Sequence, residues 1–162
     1  PILVFTADEA WGFLPGVEEG DYVHATDWES FPFALSKDEK AAWDQLFALR
    51  ELALPPLEAL RQAKTIGKGL DAKITLSGKV EALQAAKAQT EDLRELLNVS
   101  CVEFNETDAD EITAEASRAD GEKCERCWRL EPTVGTNESH AGLCGRCVEA
   151  VESWVASNPE AE

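Results

Sequence analysis

The sequence predicts an α+β fold in three consecutive parts: a helical segment, a small unit of mixed strands and helices, and a C-terminal module built on four cysteines. Three observations carry this expectation. Apolar residues from Trp43 to Leu54 recur at a helical period behind a capping signal. Beyond Leu70 the pattern switches between the two-residue period of strands and the longer period of helices. Finally, Cys124, Cys127, Cys144 and Cys147 form two CxxC pairs separated by sixteen residues.

Thr6 followed by Glu9 is a capping box, in which a hydroxyl and a carboxylate satisfy free N–H groups of a first turn. It predicts a short helix over 7–14, stopped by Pro15-Gly16, with Trp11, Phe13 and Leu14 facing inward. Residues 17–35 show no helical period. With Gly20, Pro32 and the rings of Tyr22, Trp28, Phe31 and Phe33, they read as an extended connection pinned by aromatic packing.

Ser36 and Glu39 repeat the capping signal, and Trp43, Leu46, Phe47, Leu49, Leu52 and Leu54 then follow a helical period, which predicts a helix over 37–53. Pro55-Pro56 is expected to interrupt it, because proline lacks an N–H and disfavours helical backbone in the residue before it. A second helical piece over 57–66 is expected to end at Gly67 and Gly69.

From Ala72 to Leu76 the chain alternates, with Lys73 and Thr75 outward and Ile74 and Leu76 inward, as in a half-buried strand closed by Ser77-Gly78. Residues 79–97 read as one helix whose apolar face holds Val80, Leu83, Ala86, Leu93, Leu96 and Leu97. Two further strands are expected over 99–104 and 112–116. Glu103, Glu106, Asp108, Asp110 and Glu111 read as a charged loop between them. Placing the boundary at the 67–69 linker gives a helical domain over 1–69, an α+β domain over 70–119 and a cysteine-based domain over 120–162.

The composition, 162 residues of which 44% are hydrophobic, suffices for a real core. No run approaches the about 18 apolar residues needed to span a bilayer, and the N-terminus lacks the features of a signal peptide. The expectation is a cytosolic chain, monomeric by default, with no membrane partner. Because it starts with Pro1 and contains no Met, it also reads as a piece of something longer. The net charge of −17, from 32 acidic against 15 basic residues, repels a polyanion at long range and weighs against a broad nucleic-acid surface. Locally the balance reverses: residues 59–70 hold no acid while Arg61, Lys64 and Lys68 supply positive charge.

In a reducing compartment, close cysteine pairs at this spacing point to a zinc site rather than to disulfides. A two-residue gap lets a tight turn aim both sulfurs at one ion, and Gly145 is expected to supply the backbone freedom for such a turn. Four thiolates, from Cys124, Cys127, Cys144 and Cys147, fill the tetrahedral shell and leave no place for a reactive water, so the ion is structural. The competing possibilities are disulfides or inert thiols, or His140 replacing one sulfur. Cys101, with no cation beside it, reads as a buried core thiol. Residues 148–156 are expected to form a helix packing Val148, Val151 and Trp154 against the metal site, with residues 157–162 frayed.

Arg126, Trp128, Arg129 and Arg146 lie in or beside the two cysteine pairs. Arginines next to an indole suit phosphate contacts and a stacked, unpaired base. The alternative is that the arginines pair with Glu122, Glu125, Glu131 and Glu149 while Trp128 packs inside. No phosphate-binding loop, nucleophile elbow or HExxH stretch is present, and the only histidines are His24 and His140, so the sequence offers no catalytic constellation.

Four blocks, taken together, resemble the bacterial-type isoleucyl-tRNA synthetases near their C-terminal end. They are Pro1-Ile2-Leu3-Val4-Phe5-Thr6-Ala7-Asp8-Glu9-Ala10-Trp11 with Leu14-Pro15-Gly16, Ile66-Gly67-Lys68-Gly69-Leu70-Asp71-Ala72, Gly121-Glu122-Lys123-Cys124-Glu125-Arg126-Cys127-Trp128, and Leu143-Cys144-Gly145-Arg146-Cys147-Val148. The resemblance runs in family order from residue 1 to about 150, and the cysteine blocks separate this family from the valine and leucine enzymes.

The resemblance implies the end of a helical anticodon-binding domain, a small α+β junction domain and a terminal zinc-binding domain that together grip the anticodon region of isoleucine tRNA. It implies a parent that joins isoleucine to that tRNA with ATP in a catalytic core bearing HIGH and KMSKS signatures, and that hydrolyses misactivated valine in an inserted editing domain. Those signatures are absent here, so the chain is not expected to aminoacylate alone. Pro55-Pro56 falls where the family has a longer helix, which leads one to expect a different angle between the helical and junction domains. Two other classes of function remain open: a structural or protein-interaction zinc module, and a DNA-binding finger like that of formamidopyrimidine-type DNA glycosylases. The glycosylases need a catalytic N-terminal proline; Pro1 here precedes a helical segment without base-excision residues.

Overall fold

Helix formation starts earlier than the Thr6 capping signal implies. In the computed structural model, which describes residues 3–27 and 32–158, helix α1 runs Val4–Trp11 and the Ala7 N–H already reaches the Leu3 carbonyl at 2.8 Å. Thr6 is therefore inside the helix rather than at its cap. After Trp11 the chain closes tight turns, with Phe13 N–H on the Ala10 carbonyl and Leu14 N–H on that of Trp11, so the helical period ends. Trp11 is half-buried, but Phe13 and Leu14 are exposed, against the expectation that they pack inward.

The connection that follows carries a short 3₁₀ turn, Val23–Ala25, and is tied to the start of α1 by His24 Nε2 donating to the Val4 carbonyl at 3.1 Å. Tyr22 and Phe33 are exposed, against the expectation that the rings pack inward; Trp28, Phe31 and Pro1 lie outside the described residues. Residues 1–35 and 36–162 form two separate compact units.

The second unit opens with helix α2, Lys37–Gln62, whose capping box forms as the sequence predicts: Glu39 N–H donates to Ser36 Oγ at 3.2 Å and Ser36 N–H donates to Glu39 Oε2 at 2.8 Å. The expected break at Pro55-Pro56 does not occur. Both prolines sit inside one continuous helix. A proline removes the bond to the carbonyl four residues earlier, here those of Glu51 and Leu52, and both of these residues are exposed, where water can take over. Burial on either side holds the helix through: Leu46, Leu49 and Ala53 are buried before the prolines, and Leu57 and Leu60 pack on the same core after them.

Strand β1, Ala72–Gly78, alternates buried and half-buried residues along its whole length, with Ile74 and Leu76 fully buried, as the sequence predicts. The single helix expected over 79–97 is instead two, α3 (Val80–Ala88) and α4 (Thr90–Leu97). The break sits at Gln89, where the Thr90 hydroxyl turns back onto the Lys87 carbonyl at 2.8 Å and ends α3. Leu83, Ala86, Leu93 and Leu97 are buried and Leu96 half-buried, while Val80 is exposed.

Strands β2 (Cys101–Glu106) and β3 (Thr113–Arg118) flank β1, giving the order β2-β1-β3 with β2 parallel and β3 antiparallel to it. Ile74 pairs with Val102 on one side and Ala116 on the other. Side chains from α2, α3 and α4 close one core with the sheet. Cys101, expected in that core, is only half-buried, and Ser100 takes the buried position before it. Burial pushes the Cys101 thiol pKa up, with Glu103 adding to the effect. The acidic run is not simply a loop: Glu103 and Glu106 belong to β2, and Glu103, Glu106 and Asp110 pair with Lys73, Lys87 and Lys79.

Ser100 joins the sheet to the cysteine module. Its hydroxyl donates to the Leu70 carbonyl and accepts from Leu130 N–H at 2.7 Å in a buried setting. Replacing Ser100 with Ala leaves a buried N–H without a partner. The expected cost is about 1–3 kcal/mol of stability, read as a fall in the denaturant midpoint with an unchanged slope.

Candidate metal centre

The cysteine module begins with a hairpin of two short strands, β4 (Glu122–Lys123) and β5 (Leu130–Glu131). Gly121 leads into it at φ +92°, where a Cβ would meet the backbone carbon of Glu131 at 2.4 Å, so no other residue fits. The hairpin's loop is the first cysteine pair. Cys124 N–H bonds the Arg129 carbonyl at 2.9 Å and Trp128 N–H bonds the Cys124 carbonyl at 2.9 Å, closing a tight turn around the pair.

The second pair opens helix α5, Gly145–Ser157, with Cys144 at its N-cap and Cys147 in its first turn. Gly145 has no positive φ, and a Cβ there would make only ordinary contacts, so the freedom expected of it is not used. The left-handed backbone is instead at Trp128, φ 65°. Glu125 N–H donates to the Gly142 carbonyl at 3.0 Å, and Gly145 N–H donates to Thr133 Oγ1 at 3.0 Å, which locks the two pairs face to face. In α5, Val148 is buried and Val151 half-buried, whereas Trp154, expected against the metal site, is exposed.

The four sulfurs lie within 4.8 Å of one another, an arrangement that fits one metal ion. Cys127 Sγ and Cys144 Sγ are 3.8 Å apart, much longer than a disulfide bond and close to the about 3.8 Å edge of a tetrahedron of about 2.3 Å Zn–S bonds. Among the described residues His140 does not join the cluster. Burial pushes the Cys144 thiol pKa up. Cys124 is also desolvated, but the N–H groups of Cys127, Cys144 and Arg126 outweigh that and lower its pKa. Protonation is thus favoured at one sulfur and thiolate at another, and a cation at the centre would draw the remaining protons off.

The four residues expected at a partner surface divide. Trp128 is 56% exposed and its Nε1–H donates to the Glu125 carbonyl at 3.1 Å, which fixes the ring. Arg126 and Arg146 are exposed, their guanidiniums against Cys147 and Cys127. Arg129 is 7% exposed and paired with Glu95 at 3.7 Å, so it faces α4 rather than solvent. Its neighbour Arg94 reaches Glu131 at 3.3 Å, a docking that sequence reasoning missed because the partners lie far apart in the chain. Lys68, read from the sequence only as part of a local basic stretch, and Lys123, which was not singled out, also reach this surface: their ammoniums lie 5.2 and 5.4 Å from the Trp128 ring centroid.

Residues 121–150 match the family model described as a zinc finger found in FPG and IleRS. The whole chain is similar to isoleucine–tRNA ligases. It is 35% identical over 156 residues to that of Caldicellulosiruptor bescii, covering 94% of this chain and 17% of the relative. The identity is 39% over 168 residues with that of Brevibacillus brevis, covering 96% and 18%. With that of Geobacillus thermodenitrificans it is 40% over 170 residues, covering 97% and 18%. The chain thus spans under a fifth of the length of the relatives it matches, and no helix among the described residues is long and apolar enough to cross a membrane. Its α+β fold, its four-cysteine centre suited to one zinc ion and its similarity from end to end agree: the chain belongs to the isoleucine–tRNA ligases, as a stretch of that longer enzyme.

Proposed function

We propose that this stretch binds the anticodon region of isoleucine tRNA and holds it in register for the catalytic core of a parent enzyme that joins isoleucine to that tRNA with ATP. Cys124, Cys127, Cys144 and Cys147 hold one structural zinc ion; a shell of four thiolates has no site for water and shapes the surface rather than reacting. The observation that carries the proposal is Trp128, an exposed indole in left-handed backbone that strongly disfavours a bulky residue. Such strain is kept where the side chain has work outside the fold. Arg126 and Arg146 supply positive charge on the same module, and Arg129 braces it from within.

The helical part over 1–69, the junction over 70–119 and the zinc part over 120–162 would act together in a cytoplasmic, monomeric parent. Compactness alone draws a different line, at Leu35–Ser36, and α2 shares its core with the sheet. Filter binding with isoleucine tRNA tests the proposal. Converting Arg126 and Arg146 to Gln together should weaken binding about tenfold at physiological salt and flatten its salt dependence. Unchanged affinity contradicts an RNA role for both.

The same zinc-finger model also names FPG, which keeps a DNA-binding finger as a second candidate. Incubation with duplex DNA carrying an oxidised guanine separates the two: strand cleavage would favour the DNA repair class, and its absence together with tRNA binding favours the first.

A further inference from the structure

Within a chain of net charge −17, two ammoniums from segments 55 residues apart converge on one exposed ring. Lys68 lies in the loop before β1 and Lys123 in β4, and among the described residues neither is paired with a carboxylate. The other lysines of the sheet region behave differently: Lys73, Lys79 and Lys87 are each held by acidic partners.

The backbone that carries Lys68 is fixed from two sides. Asp71 Oδ2 accepts from the N–H groups of Gly67 at 3.0 Å and Lys68 at 3.1 Å, so the nearest acid in sequence is engaged with backbone. On the other side Gly69 runs so close to α4 that a Cβ would stand 2.7 Å from the Asn98 carbonyl oxygen. Lys123 is placed by the β4–β5 pairing, through its register with Leu130. Trp128 is placed by its strained backbone and by the Nε1–H bond to Glu125.

We infer that Lys68 and Lys123 are phosphate-binding residues that flank a base stacked on Trp128, making a composite site for single-stranded RNA from the Ile66–Ala72 block and the zinc module. This rests on the RNA-binding function proposed above and assigns two residues to it. A stacked base needs the ring face, and its flanking phosphates need cations beside that face. In the free protein the ammoniums rest against the ring's negative face; when a base takes that face they turn to the neighbouring phosphates. The arrangement concentrates positive charge at the stacking point although the chain as a whole repels RNA.

The test is a titration of the full chain, zinc-loaded, against isoleucine tRNA from low to high salt, with wild type, Lys68→Gln/Lys123→Gln, Lys68→Arg/Lys123→Arg and Trp128→Gly. Lys37→Gln/Lys40→Gln, at the start of α2, removes the same charge elsewhere. Zinc content and circular dichroism establish that each variant is folded. The expected result is an affinity about tenfold lower for the Lys68/Lys123 Gln pair at physiological salt, with a salt slope shallower by about 1.4, restored by the Arg pair and not reproduced by Lys37/Lys40. If wild type binds and Trp128→Gly weakens binding while the Gln pair keeps both affinity and slope, the assignment is wrong and the RNA function stands. No binding by wild type at any salt overturns both.

Discussion

Chelating the metal unfolds residues 121–157 and leaves α2 packed on its three-stranded sheet. The two regions rest on different cores. Around the sheet, Leu46, Leu49, Ile74, Leu76, Leu83, Leu93 and Val102 are buried together. The metal module's buried cluster is Cys124, Cys144 and Cys147, with Cys127, Val134 and Leu143 partly buried against it. So few apolar groups do not offset the entropy of ordering this segment, and metal binding must supply the difference, of order 10 kcal/mol for sites of this kind.

Circular dichroism should show the loss of α5 with most helical signal retained, and returning zinc should restore it. The sign of the pH dependence follows from the thiols. In the unfolded, metal-free module the thiols carry their ordinary protons at neutral pH, so loading zinc onto thiolates releases them. Zinc affinity is therefore greatest above the ordinary thiol range, near about 8.5, and weakens as pH falls below it. Loss of the entire fold on chelation, or no loss, contradicts this division.

Replacing Trp128 with Gly leaves thermal stability unchanged or raises it, and lowers tRNA affinity about 5- to 150-fold. At φ 65° a side chain costs roughly 1–2 kcal/mol that glycine does not. That relief offsets loss of the Nε1–H bond and of contact with Lys68 and Lys123. The stacking of one base on an aromatic ring contributes about 1–3 kcal/mol, which sets the fold-change. Trp128→Ala should lose the same affinity without the gain in stability. A lower melting temperature with unchanged affinity would make Trp128 a structural residue.

Local signals in the sequence located most elements but not their limits. The Ser36–Glu39 box and the alternation of Ala72–Leu76 appear as read, because capping and strand period are set by neighbours in sequence. Pro55-Pro56 misled because a proline's local cost is outweighed when both flanking turns are buried in a common core. Thr6 misled because a capping pattern does not require a cap, and the turn at Leu3 closes first.

The four sulfurs were legible because two-residue spacing is a direct geometric demand of a tetrahedral ion. The burial of Arg129 and the approach of Lys68 to Trp128 were not. Each depends on a contact across more than 30 residues, between Arg129 and Glu95 or Lys68 and Trp128, which no local pattern encodes. The β4–β5 hairpin, only two residues a side, was too short to leave a period at all.

The most direct measurement is binding of the zinc-loaded chain to isoleucine tRNA and to a non-cognate tRNA across a range of salt. Tighter binding of the isoleucine tRNA, weakening as salt rises, is the predicted result. Equal affinity for both tRNAs, or binding to neither, contradicts anticodon recognition by this stretch.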